Sequence, residues 1–267
     1  MTPPTGFVQE RLAGLGRPVL AGLREGRALA ALFLQTFAAI LRGRVRARSF
    51  LLQCYLIGNK SVPFVAITLG VLGLISVYQV ATQIEQIIPD FTMLGAAFLQ
   101  MMIREFAPTI TGLMVATRVG SGIAAEIGSM VVTEQVDALR MSNADPVDYL
   151  LVPRTLASGL MMLMLTILGV VCATIAGMLI ARSGFGVPYA TFLNLQLIDA
   201  GDLALGGTKA LAYGLAIPVI AGHAGLSASG GSAGVGRATT QAVVATSFAV
   251  IVLDFIISGL SYLLFGQ

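Results

Sequence analysis

Residues 61–84 read SVPFVAITLGVLGLISVYQVATQI and residues 155–181 read TLASGLMMLMLTILGVVCATIAGMLIA, and neither stretch holds a charged side chain. A helix needs about 20 mostly apolar residues to cross the hydrocarbon of a bilayer, so each run is long enough to span. The whole chain has the same character: 56% of its 267 residues are apolar and 11% are charged, against roughly 25% charged in an ordinary soluble domain. The fold class expected is an all-α integral membrane protein, with an N-terminal interfacial helix plus about five transmembrane helices. Residues 1–60 form a basic, interfacial segment and residues 61–267 the transmembrane domain.

The formal charge of +3 does not point to nucleic acid, because nine of the sixteen Lys and Arg lie in the first sixty residues. Such asymmetry is how a polytopic chain records its orientation. Between Arg24 and Arg48 only Ala28 to Leu41 is free of charge, too short to span comfortably. As a helix it puts Leu29, Leu32, Phe33, Phe37 and Ile40 on one broad face, and Arg42, Arg44, Arg46 and Arg48 within reach of anionic head groups. An ordinary amphipathic helix packed on the bundle fits the same pattern. The first residues, MTPPTGFVQERLAGLGRP, lack the apolar core and small-residue site of a cleaved signal. Cys54 and Cys172 have no patterned spacing and are expected to be free.

The first span is followed by EQIIPDF around Pro89, whose Glu85 and Asp90 without a basic partner suit the outer side. The second span, Thr92 to Val119, is interrupted by Arg104, Glu105 and Pro108. Residues 121–154 are too charged for hydrocarbon, yet Ile123, Ile127, Met130, Val131 and Leu139 recur at helical spacing. They predict an amphipathic surface helix over about 121–143, ended by Asn143, Asp145 and Pro146. The third span is Thr155 to Ala181. The fourth is Leu203 to Ala224, with Lys209 near its outer end and free to snorkel to the head groups. Residues 225–237 form a Gly- and Ser-rich cytoplasmic connection, and Ala238 to Phe265 the last span. Five spans leave the N-terminus inside and the C-terminus outside.

Chemistry is sparse. A charge at the centre of a spanning helix costs about 2.5–3.5 kcal/mol on insertion scales, so Arg104 and Glu105 should avoid lipid. They either meet the polar head of a substrate or form a structural ion pair between helices or subunits. Asp254 in the last span must be neutral, paired across helices or open to water, and a structural hydrogen-bonding role is favoured over proton coupling. His223, the one histidine, has no ligand-type neighbours, so no metal site is expected. GSAGVGRA, residues 231–238, has P-loop-like glycines, but Arg237 and Ala238 stand where such a loop needs Lys and Ser or Thr. No catalytic constellation is present.

The run REFAPTITGLMVATRVGSGIAAEIGSMVVTEQVDALRMSNADPVDYLLVPR, residues 104–154, closely resembles the signature region of MlaE/YrbE permeases. AAEIGSM, TEQVDAL and ADPVDYLLVPR stand at that family's Ala-Glu-(Ile/Leu)-Gly, Glu-Gln and Asp-Pro…Pro-Arg elements. GGSAGVGRATTQAVVATSFAVIVLDF, residues 230–255, resembles its Gly-Val-Gly-x-Ala-Thr-Thr stretch. The resemblance covers most of the chain after residue 50. It implies a homodimeric permease of an ABC transporter in the bacterial inner membrane, moving phospholipid or a related lipid. The implied partners are an ABC ATPase subunit, which binds the ATP and magnesium, an extracytoplasmic MCE-domain lipid-binding protein and often a small STAS-domain protein; no cofactor belongs to this chain. The helix with Glu126, Glu134, Gln135, Asp137 and Arg140 is the implied coupling helix that docks on the ATPase. Val136–Ala138 departs from a Leu-Ser-Ser version of the family, which leaves the subfamily open.

Arg104, Glu105 and Tyr78 are the candidate lipid-binding residues, drawn from the first and second spans. The rival reading is an ion-coupled lipid carrier or a membrane-embedded lipid-modifying enzyme. An enzyme needs catalytic His, Asp or Cys clusters near the interface, and a carrier needs broken repeats and several coupled intramembrane carboxylates. The sequence displays neither pattern.

Overall fold

A computed structural model of the chain describes residues 5–43, 47–87 and 90–265, all of whose regular elements are helical. In chain order they are α1 (Thr5–Leu41), α2 (Ala47–Cys54), α3 (Val62–Ile87), α4 (Leu94–Met101), α5 (Ala107–Val115), α6 (Ser121–Val132), α7 (Gln135–Met141), α8 (Val152–Phe185), α9 (Tyr189–Phe192), α10 (Ala200–Leu226) and α11 (Gly231–Phe265). Wide π-turns at Tyr55–Asn59, Met102–Phe106, Ala116–Gly120 and Val147–Leu151 join several of these into longer helices. Among the described residues five helices are long and apolar enough to cross a membrane: Ala47–Gln86, Leu94–Val132, Val147–Phe185, Ala200–Leu226 and Gly231–Leu264.

The number of spans agrees with the sequence, but each helix outruns its apolar run. Pro63, Pro108 and Pro153 each follow closely on a wide turn, so the N–H each lacks is missing where the helix is already loosened, and none stops a span. At the tail of the second span the charged region does not form a separate surface helix. α6 continues the span and buries Ile123, Ala124 and Ile127 against α10 and α11. The chain breaks only at Glu134, whose φ of 60° is left-handed, and α7 then runs separately on a buried Val136. Residues 225–237 are likewise shorter as a connection than expected, because α11 starts at Gly231.

The core is made by close backbone approach of small residues, as is usual where apolar burial alone cannot drive helices together in lipid. α3 lies along α8 in the largest contact of the bundle, and a Cβ on Gly73 would come within 2.3 Å of the Ala173 carbonyl oxygen. α1 packs on α8, α10 and the turn before α8, burying Leu32, Thr36 and Ala39. Leu29, Phe33 and Ile40 sit half-buried on this side as the pattern predicts, whereas Phe37 points outward with Leu34 and Leu41. Arg44, Arg46 and Pro89 lie outside the described residues. Cys54 and Cys172 are free.

Candidate functional site: an ionic cluster between three spans

The wide turn Met102–Phe106 places two adjacent charges of the second span, Arg104 and Glu105, in one turn. Pro108 two residues further has no N–H to offer a preceding carbonyl, so the helix loosens where these side chains leave it. Against this turn lies Gly206 of α10; a Cβ there would meet the Ile103 carbonyl oxygen at 2.3 Å. That approach brings in the face of α10 formed by Asp202, Lys209 and Tyr213, which recur at the spacing of one helical stripe.

The result is a continuous ionic cluster. Arg104 Nη1 donates to Asp202 Oδ1 at 3.3 Å, and Arg104 Nε stands 3.9 Å from Glu105 Oε1. Gln100 Nε2 donates to the other Asp202 oxygen at 3.1 Å, and the backbone N–H of Asp199 bonds the same oxygen at 3.2 Å as part of a capping box that starts α10. Lys209 Nζ bonds Glu105 and stands 3.0 Å from Asp254 Oδ1. That same Asp254 oxygen accepts from Tyr213 Oη at 2.7 Å and Thr109 Oγ1 at 3.0 Å. Three carboxylates and two cations therefore link the second, fourth and fifth spans, with one carboxylate in excess.

Two expectations change here. Lys209 does not snorkel: its exposure is 0%, because Gly206 draws α10 so close to the second span that the ammonium meets carboxylates before it can reach a membrane surface. Asp254 is paired across helices, one of the options its sequence left open; what changes is that intramembrane carboxylates, which the sequence showed only singly, are gathered into a set of three. Gln100, Thr109, Asp202 and Tyr213 are cluster members that the sequence reading passed over, and Lys209 is one that it assigned to the head groups. The signal for them was the match between charges lying inside apolar runs on different helices.

Beside the cluster a cavity of about 690 Å³ opens between α10 and α11. Arg104, Asp199, Thr208 and Ser261 give its wall polar groups, and Leu205, Ile257, Leu260 and Leu264 make the rest apolar. Arg104 thus faces two ways, with 22% of its side chain exposed while Asp202 behind it keeps 2%.

The other predicted residues lie elsewhere. Tyr78 is exposed on α3, its ring 6.0 Å from that of Phe185, and no described contact joins it to the cluster. Glu126 turns back onto its own chain, 2.9 Å from the buried Arg154 at the start of α8. Glu134, Gln135, Asp137 and Arg140 are all exposed around α7, where Arg140 Nη1 bonds Asp137 Oδ1 at 3.0 Å. A groove of about 570 Å³ lined by Gln35, Arg42, Arg140, Asp145 and Asp148 separates this region from α1.

Residues 50–260 match the family model described as Permease MlaE. The chain is similar to a probable ABC transporter permease protein of Synechocystis, 39% identical over 88% of this chain and 91% of the other. A probable ABC transporter permease protein of Rickettsia bellii is 33% identical, over 86% of this chain and 89% of that protein. The chloroplastic protein TRIGALACTOSYLDIACYLGLYCEROL 1 of Arabidopsis thaliana is 32% identical, over 92% of this chain and 67% of that protein.

Proposed function

The chain belongs to the MlaE permease family and is a multi-pass permease subunit of an ABC transporter; on that premise we propose that its cargo is a phospholipid or related lipid. The carrying observation is the cavity of about 690 Å³ beside the ionic cluster, whose wall sets the apolar Leu205, Ile257, Leu260 and Leu264 together with the guanidinium of Arg104. A guanidinium presents a planar fork of donors that matches a phosphate bidentately. Arg104 is the head-group contact, and Glu105, bonded to Lys209, holds the turn that presents it. The Arabidopsis relative carries the name of a glycolipid, which agrees with lipid cargo. Tyr78, on the outer surface of α3, would touch lipid away from the cluster.

The remaining parts follow from the same reading. ATP and magnesium belong to a separate ATPase that docks on α7 through Glu134, Gln135, Asp137 and Arg140, with the groove beside α1 as the neighbouring surface. Glu126 supports that contact from behind by holding Arg154. Val244, Phe248, Ile251 and Phe255 make an exposed apolar stripe on α11 that suits a second copy of the chain. An MCE-domain protein outside, and a STAS-domain protein inside, complete the assembly in a bacterial inner membrane. The outward Leu34, Phe37 and Leu41 of α1 suit immersion at the cytoplasmic leaflet.

The three gathered carboxylates favour one second reading, ion-coupled transport without ATP. Reconstitution of the chain with its ATPase in vesicles carrying labelled phospholipid separates the two. The proposal requires lipid transfer that depends on ATP; transfer driven by a proton or sodium gradient with the ATPase left out would replace it with the carrier.

A further inference from the structure

We propose that Arg118 is a second phosphate-binding station, holding the head group of a membrane lipid at the end of the bundle that carries Lys60 and α7. Arg118 sits in the wide turn Ala116–Gly120, so each arginine of the second span occupies a wide turn, a feature that concentrates at functional sites. The side chain is half-buried and donates from Nη1 to the hydroxyl of Ser61. Ser61 gives its own proton to the Ile57 carbonyl at 2.6 Å, so it meets Arg118 as a neutral acceptor. The other cations held inside the bundle each have a carboxylate: Arg104 has Asp202, Lys209 has Glu105 and Asp254, and Arg154 has Glu126. Among the described residues Arg118 has none.

A guanidinium offers five N–H donors, and the serine takes one. The remaining donors and the uncompensated charge call for an anion with several oxygens. At 1.5 Å per residue, Arg118 lies about 36 Å along the helix from Leu94 and about 21 Å from Arg104. The first distance is close to a hydrocarbon thickness, about 30 Å, so Arg118 stands at the level of lipid phosphates on that side. Lys60, exposed and adjacent to Ser61 at the start of α3, adds positive charge at the same level. The two arginines then mark two depths on one helix at which a head group can rest, one at the membrane surface and one at the cavity. Only the identity of the ligand rests on the lipid-permease reading; the missing counter-charge is a property of Arg118 itself.

The test uses the full chain with its ATPase in vesicles of phosphatidylethanolamine and phosphatidylglycerol containing radiolabelled phospholipid. A photo-crosslinking residue replaces the exposed Thr117, and a second preparation carries one at Ser261 beside Arg104. Losing the charge-assisted bonds of Arg118→Gln should lower capture at Thr117 about tenfold, with Arg118→Lys retaining part of it. Ser61→Ala, which frees the guanidinium without removing its charge, should lower capture clearly less than Arg118→Gln does. Equal capture by wild type and Arg118→Gln overturns the proposal. So does equal loss in Ser61→Ala and Arg118→Gln, which would make Arg118 a clasp between the first two spans. Competition by inorganic phosphate that abolishes capture would reassign the site to free phosphate and overturn the lipid assignment. With Arg118 and Arg104 both intact, absence of capture at Ser261 alone counts against the cavity reading and leaves Arg118 standing; absence of capture at Thr117 alone overturns the Arg118 station and leaves the cavity reading standing.

Discussion

Lys209 and Asp254 meet at 3.0 Å across the fourth and fifth spans, and the lysine keeps no exposed surface. A fully buried ammonium is tolerable only because two carboxylates close on it, and its loss would leave Asp254 without a cation and Glu105 with only Arg104, 3.9 Å away. Their situations differ: Glu105 keeps 37% of its side chain exposed and Asp254 keeps 26%.

Lys209→Met is therefore expected to destabilise the chain by about 3–5 kcal/mol, the range for removing one partner of a buried pair. Adding Asp254→Asn should recover more stability than adding Glu105→Gln, because the more exposed carboxylate is better served by water. Thermal unfolding in detergent reads the order of the three variants. Equal recovery by the two second-site changes would show that Lys209 does not discriminate between its partners.

The approach of α10 to the second span gives a sharper contrast. A Cβ on Gly206 meets a backbone oxygen at 2.3 Å, whereas a Cβ on Gly207 has nothing closer than 4.0 Å. Gly206→Ala should cost about 1–3 kcal/mol through overpacking, while Gly207→Ala should be neutral or slightly stabilising from helix propensity. Equal unfolding temperatures for the two variants would mean that the fourth span can shift without harm.

The existence of five spans was legible because runs such as Thr155–Ala181 hold no charge, and hydrocarbon tolerates no other reading of them. The pairings were not legible. Lys209 reads as a snorkelling residue when its helix is considered alone, and its burial comes from Gly206 meeting Ile103, a contact between residues far apart in the chain. Residues 121–143 read as a surface helix because 121–154 as a whole is rich in charge, yet within Ser121–Val132 the one charge is Glu126, and Arg154 on another helix answers it. Composition records which residues are polar; it does not record that their partners arrive from elsewhere.

α7 and Glu126 should respond differently to charge reversal. Glu134→Lys with Asp137→Lys changes exposed groups, so stability should hold while association with the ATPase falls. Glu126→Lys faces the buried Arg154 and should lower stability as well. Co-purification and thermal unfolding measured on both variants separate docking from support, and full ATPase binding by the double reversal would remove α7 from the interface.

Five candidate spans among the described residues predict chain ends on opposite sides, and the basic first sixty residues predict an N-terminus inside. Reporter fusions at each end should give a cytoplasmic signal at the N-terminus and an extracytoplasmic one at the C-terminus. Signals from the same side would reject the arrangement.

The head-group role of Arg104 needs a variant that does not confuse binding with assembly. Arg104→Ala alone would strip Asp202 of a cation, and at 2% exposure that carboxylate has little water to replace it. Loss of assembly in the single variant would then say nothing about lipid. Pairing it with Asp202→Asn removes the buried charge together with its partner, and Gln100 still has an oxygen to bond. The double variant is expected to fold and to bind the ATPase, yet to lose lipid crosslinking from Ser261 and transport, each by about tenfold, since a charge-assisted contact to phosphate contributes about 1.5–3 kcal/mol. If Arg104 serves only to pair with Asp202, the same variant should recover everything the single one lost. Normal crosslinking and normal transport in a well-assembled double variant would thus show the arginine to be structural, and the phosphate would have to be sought elsewhere along the second span.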